Sequence, residues 1–170
     1  LNVKQFGACG DGVSDDTDVL KNKIFLTDNH FLDNRTIYFP DGNYLISQTL
    51  ETSTQYPRSI RMEKNARIFT NTDDLEYLIR LGRWGSGEKW NGSITGGILD
   101  ANDKAKCCFG ASSYNYFSYK DVICKNFKLY GVNTNPNELP SYWFVGNNMY
   151  FKNTTEWEGS TSIYCKNVDN

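Results

Sequence analysis

The chain has little of what marks several large classes of protein. Its 170 residues include one histidine, His30, four prolines and two methionines. No run of about 18 apolar residues occurs, so no membrane-spanning helix is predicted. The N-terminus lacks the basic-then-apolar layout of a secretory signal. With Leu1 in place of Met, the true start, or a processed or excised segment, is expected upstream. Charge is nearly balanced, with 18 basic and 20 acidic residues for a formal net charge of -2. Without a basic stripe there is no electrostatic reason to expect a nucleic-acid partner, and none is expected. The five cysteines, Cys9, Cys107, Cys108, Cys124 and Cys165, are odd in number and show no CxxC spacing. That argues against a full disulfide framework and against a zinc site, and no metal is predicted. Reduced thiols are expected, which suits a protein maturing in the cytosol.

What the chain does have is aromatic residues, 15% of the total with 4 Trp and 11 Tyr. Such rings serve as strand residues and as platforms for sugars or proteins. The opening, Asn2 to Thr17, reads as a short apolar entry, a polar loop bent at Gly7, Gly10 and Gly12, and a helix start. Ser14, Asp15 and Asp16 are candidate caps for that helix. Val19, Leu20, Lys23, Ile24 and Phe31 then mark one side of a helix predicted from about Asp15 to Asn29. His30, near its end, reads as a capping or solvent-facing residue.

From Thr36 the pattern changes to short alternating runs: Ile37/Phe39, Tyr44/Ile46, Ile60/Met62, Ala66/Ile68 and Ile79/Leu81, followed by Ile94 and Ile98. Period-2 alternation broken by turn residues predicts strand, turn, strand. Ile37 and Ile60 are 23 positions apart, and Ile46 and Ile68 are 22 apart. Three strands of about five residues plus turns give one coil of a solenoid at that spacing. Cys124-Lys125-Asn126, Phe151-Lys152-Asn153 and Cys165-Lys166-Asn167 repeat a small motif. In it Cys124 and Cys165 read as inward-facing, and Asn bends the chain after a strand, where stacked Asn side chains can satisfy one another.

The opening stretch, together with Ile37 to Ile46, resembles the N-terminal signature of the pectate-lyase-like superfamily. Ser93 to Asp100 is similar to a glycine-glycine coil found early in many members. Here Gly96 and Gly97 read first as a tight bend and second as a substrate wall. The resemblance implies an all-β fold, a right-handed single-stranded parallel β-helix with an N-terminal capping α-helix. We expect a single domain over residues 1–170, with a cap loop and helix at 1–31 and coils over 36–170, truncated at the C-terminus. A terminal coil has no neighbour, and the helix is assigned to covering it.

For chemistry the resemblance offers clustered aspartates, as in glycosidases that flank the bond with an acid and a base. Asn71-Thr72-Asp73-Asp74 looks like two such signatures run together, and Asp73 and Asp74 are candidates with a competing turn reading. Asp100 and Asp103, with Lys104 and Lys106, form the other compact group, which a solvated loop also accounts for. No cofactor is expected; calcium would be needed only by a lyase. The stretches Arg83 to Gly92 and Tyr130 to Phe144 read as excursions from the stack, where recognition tends to reside. Their Trp84, Trp90, Tyr142 and Trp143 are the candidate carbohydrate-binding residues.

The expected function is a carbohydrate-recognising module of a bacteriophage or prophage tail spike, binding cell-surface polysaccharide. By resemblance it is a homotrimer, located in a virion assembled in the host cytoplasm, without membrane insertion. The alternatives are a polysaccharide lyase or glycoside hydrolase, which would be secreted, and a purely structural stalk. Enzymatic activity is left open at this point.

Overall fold

Side chains that alternate between apolar and polar over four to six residues force a strand with one buried face. A computed structural model of the chain, which describes residues 1–26, 35–52, 59–81, 90–111, 114–133, 143–153 and 160–164, lays such strands one above another. After β1 (Asp11–Asp15) come coils of three strands each. The first holds β2 (Ile37–Phe39), β3 (Gly42–Ile46) and β4 (Leu50–Glu51). The second holds β5 (Ser59–Met62), β6 (Ala66–Thr70) and β7 (Tyr77–Leu81). β8 (Trp90–Thr95), β9 (Ile98–Asp100) and β10 (Cys107–Ala111) form the third. The fourth has β11 (Tyr114–Lys120), β12 (Ile123–Lys125) and β13 (Tyr130–Asn133). β14 (Trp143–Asn147), β15 (Tyr150–Lys152) and β16 (Thr161–Tyr164) follow.

Corresponding strands pair in parallel to give three sheets. Sheet I runs β1-β3-β6-β9-β12-β15, sheet II runs β4-β7-β10-β13-β16, and sheet III runs β2-β5-β8-β11-β14. The expected parallel β-solenoid is therefore observed.

The core is a set of columns. Tyr44, Ile68, Leu99, Cys124 and Phe151 stack through sheet I. Ile37, Ile60, Ile94 and Tyr119 stack through sheet III. Ile79, Phe109 and Val132 stack through sheet II. Apart from the half-buried Phe151 these residues are fully or almost fully buried, and each large apolar side chain among them contributes about 1.5–3 kcal/mol relative to exposure. The 23-residue offset of Ile37 and Ile60 is a true coil repeat. The 22-residue offset of Ile46 and Ile68 is not, because Ile68 pairs with Tyr44 and Ile46 with Thr70. Ile98 also departs from the sequence reading: Leu99 takes the buried position, and Ile98 lies in the other row with Arg67 and Ile123.

The cap is shorter than predicted and starts later. Val3–Phe6 is a 3-10 turn, and Gly7, Gly10 and Gly12 have φ of 106°, 61° and 83°, as the bent loop required. Asp15 belongs to β1, so the helix α1 spans Thr17–Leu20 and runs into a π-helical turn, Lys21–Phe25. Leu20, Ile24 and Phe25 are fully buried in the common core, whereas Lys23 is exposed. Asp16 stands at the N-cap without a capping bond. Its carboxylate instead accepts from the amides of Cys9 and Gly10 at 2.6 and 3.0 Å, tying the glycine loop to the helix start. Burial raises the Asp16 pKa despite those bonds. Asn29, His30 and Phe31 lie outside the described residues.

The small motif stacks as well: Cys124 pairs with Phe151 and Lys125 with Lys152. Asn126 donates to Asp100 Oδ1, and Asn153 accepts from the Phe127 amide and donates to the Phe127 carbonyl. Cys165-Lys166-Asn167 lies outside the described residues.

Candidate functional site

Three of the four candidate aspartates sit in the corner between sheets I and II. Asp74 and Asp103 have φ of 56° and 55°, a left-handed conformation that Asp and Asn adopt more readily than other side chains. Lysines from later coils engage the acids: Lys104 Nζ is 2.7 Å from Asp73, and Lys128 Nζ is 2.7 Å from Asp74. Lys106 Nζ reaches Glu76 at 2.9 Å in the same corner. The Lys128 hydrogen bond, reinforced by its charge, holds the Asp74 carboxyl below the usual range. This is a ladder of exposed ion pairs along the solenoid.

Asp100 differs, and it is not part of a solvated loop. It lies on β9, and its side chain is 2% exposed. Oδ2 accepts from Arg67 Nε at 2.9 Å and Nη2 at 2.7 Å, and lies 3.0 Å from Lys125 Nζ. Oδ1 accepts from the Asn102 amide at 3.0 Å and from Asn126 Nδ2 at 2.9 Å. Burial opposes the charge, but the bonds from Lys125 and Asn126 and the Arg67 charge outweigh it and lower the pKa. The Arg67 guanidinium also lies over the Phe69 ring, 4.2 Å from its centroid. An acid so saturated is held ionised and binds three coils together; a general acid needs the opposite shift. Among the described residues no group of three or more His, Cys, Asp or Glu gathers as a metal ligand set.

The outer face of sheet III has another character. Alternation against the buried Ile60, Ile94, Phe117 and Tyr119 leaves Ser59, Ser93 and Ser118 in one outward row. Beside it runs Tyr38, Arg61, Thr95, Lys120 and Asn147, in register across the sheet. A third outward row aligns Asn91 and Tyr116, and Trp143 stands opposite Tyr116 in backbone register. Tyr116 is 44% exposed. Two of the four predicted binding residues fall on this sheet, since Trp90 opens β8 opposite Tyr114 and Trp143 opens β14 opposite Tyr116. They were expected on loops; aromatic residues favour strands, and here pairing extends through them. Trp84 and Tyr142 lie outside the described residues.

At the corner between sheets III and I, Thr95 leads into a groove of about 380 Å³. Gly96 and Gly97, with φ of 74° and 77°, form one wall. A Cβ on Gly96 would overlap the Met62 carbonyl oxygen, and one on Gly97 would meet Met62 Cβ at 2.5 Å. The bend reading of this pair is thus correct, and the positions admit no side chain without strain. Ile123, Lys64, Asp121 and Tyr150, which is 61% exposed, complete the lining. Tyr116 and Tyr150 were not singled out from the sequence, although the alternation in Tyr114 to Lys120 was there to place Tyr116.

Residues 1–60 match a family model described as rhamnogalacturonase A/epimerase, pectate lyase-like. The opening of the chain is thus similar to the pectate-lyase-like family, and the parallel β-solenoid seen here is consistent with that superfamily. Among curated proteins the chain is 30% identical over 122 residues to mannuronan C5-epimerase AlgE1 of Azotobacter vinelandii, covering 72% of this chain and 8% of that protein. It is 32% identical over 111 residues to alginate lyase 7 of the same organism, covering 65% of this chain and 12% of the relative. The chain therefore spans only a small part of these relatives' length. Among solved structures, ORF18 of Geobacillus virus E2 superposes with a TM-score of 0.66 at 15% identity, over 95% of this chain and 39% of that one. PfbA, a surface adhesin of Streptococcus pneumoniae, gives 0.64 at 21% identity, over 96% and 42%. These likenesses establish the fold. Among the described residues no helix is long and apolar enough to cross a membrane.

Proposed function

We propose that the chain is a carbohydrate-recognising β-helix module whose glycan lies along the outer face of sheet III. The observation that carries this reading is the pair of adjacent rows, Ser59-Ser93-Ser118 and Asn91-Tyr116. Hydroxyl and amide groups repeat once per coil, about 4.8 Å apart, beside an exposed ring. Sugars need both: polar partners for their hydroxyls and a flat apolar surface for their C-H faces. Trp84, Trp90, Tyr142 and Trp143 remain the proposed carbohydrate-binding residues in this reading. The curated relatives, a mannuronan epimerase and an alginate lyase, carry polysaccharides in their names, which supports the ligand class.

The finer reading is a trimeric bacteriophage or prophage tail appendage that binds host surface polysaccharide, assembled in a reducing cytoplasm. Free cysteine usage in the chain supports such a compartment. Titration of the chain with bacterial wall and capsular polysaccharides should give saturable binding that Tyr116→Ala weakens. Absence of binding to any of them would remove the proposal.

The name of one relative, alginate lyase 7, favours a second reading, a lyase or hydrolase, in which Asp73, Asp74, Asp100 or Asp103 acts and a lyase would recruit calcium. Incubation with alginate and pectate, with and without calcium, tests it. Unsaturated or new reducing ends would establish this second reading over a pure binding module.

A further inference from the structure

The groove at Gly96 and Gly97 has a chemistry that the hydroxyl rows of sheet III do not share. We propose that it is a subsite for one sugar ring bearing an acetamido group. The acetyl methyl sits against Gly96, Gly97 and Ile123, while the ring stacks on Tyr150. This rests on the glycan-binding reading and adds to it a subsite with a preferred substituent.

Size comes first. A volume of about 380 Å³ is at the small end of ligand sites, which run from about 300 to 1,000 Å³. It holds one substituted ring rather than an oligosaccharide.

Polarity selects the substituent. The glycine wall carries no side chain, because both residues have positive φ and both would collide with Met62 if given a Cβ. Ile123 adds an apolar side chain beside it, and Tyr150 offers an exposed ring. A plain hexose turned toward that wall would desolvate hydroxyls without supplying partners, which is unfavourable. A methyl there gains from burial instead.

The remaining groups fit an amide. Lys64 forms no ion pair or hydrogen bond among the described residues and lines the groove, so its ammonium is placed to donate to an acetamido carbonyl. Asp121 is already occupied as an acceptor from Asn148 Nδ2 at 2.9 Å. Thr95 belongs both to the groove and to the outward row of sheet III, so a glycan on that sheet leads into the subsite.

The test is amide-resolved NMR on the whole chain, titrated in parallel with N-acetylglucosamine, N-acetylgalactosamine, glucose and galactose. The acetamido sugars should shift the amides of Gly96, Gly97 and Ile123 saturably, with an affinity at least about tenfold above that of the plain hexoses, the ratio equivalent to ~1.4 kcal/mol. Tyr150→Ala, at an exposed position that leaves the fold intact, should remove those shifts. Equal shifts from all four sugars, no shifts at these amides, or shifts unaffected by Tyr150→Ala would overturn the subsite. The parent reading is scored separately by polysaccharide binding and its loss in Tyr116→Ala. Retained polysaccharide binding with silent Gly96 and Gly97 amides removes only the subsite.

Discussion

Arg67 places both Nε and Nη2 on the same carboxylate oxygen of Asp100, at 2.9 and 2.7 Å, across a coil boundary. With Lys125 joining from the far side at 3.0 Å, three successive coils of sheet I are fastened at one buried charge. Asp100→Ala should therefore lower stability by about 2–3 kcal/mol, since hydrogen-bonded charges are lost and two cations are left facing each other. The figure is reduced from that for a fully buried pair, because the side chains of Arg67 and Lys125 stay 27% and 31% exposed. Chemical denaturation of the variant and the parent chain measures it.

The same carboxylate predicts an acid response. Its pKa is lowered in the folded chain, so the unfolded chain binds the proton more tightly and stability rises with pH through this range. The contribution is complete above the ordinary aspartate pKa of about 3.9 and disappears as pH falls through the folded value. Asp100→Asn should flatten this part of the stability profile. An unchanged acid limb would contradict the clamp.

Asp73→Asn and Asp74→Asn should leave the thermal midpoint and polysaccharide binding unaltered. Their partners Lys104 and Lys128 meet them at the surface, where such pairs contribute little. Loss of a depolymerising activity in either variant would instead establish the enzymatic reading.

At the corner bend, Gly96→Ala should be the more disruptive of the two glycine substitutions. The new methyl would meet backbone, the Met62 carbonyl, whereas at Gly97 it meets the Met62 side chain, most of which can turn away. Both place Ala at positive φ, which costs about 1–2 kcal/mol before any clash. A lower thermal midpoint for Gly96→Ala than for Gly97→Ala is the expected order.

Within the cap, Phe25→Ala should cost about 3–5 kcal/mol and expose the first coil to dye binding, because Phe25 is fully buried in the common core. Lys23→Ala on the exposed side should be neutral.

Much of this architecture is legible in the amino-acid order. Alternation located the buried positions of β2, β3, β5, β6 and β7, and the offset of Ile37 from Ile60 is a real coil. Offsets fail where neighbouring apolar residues compete: Ile46 was matched to Ile68, but pairing put Tyr44 there, since register is fixed by the whole strand. The helix was read too early because Asp15 and Asp16 look like caps. Strand pairing claimed the first and the glycine-loop amides the second. The role of Asp100 was hidden for a different reason. Its partners Arg67 and Asn126 are 33 and 26 positions away, and only stacking brings them together. Exposed Tyr116 and Tyr150 were lost among many aromatics, which alternation alone divides into core and surface.

Along sheet III, Ile37, Ile60 and Ile94 sit directly above one another although the intervals between them are 23 and 34 residues. The surplus in the longer interval is absorbed between strands, and the next rung resumes in step. Such a scaffold can accept or shed whole corner segments without renegotiating its interior. Diversification of the surface and conservation of the tube are thereby uncoupled, and segments of foreign sequence inserted between β7 and β8 should be carried without loss of the stack.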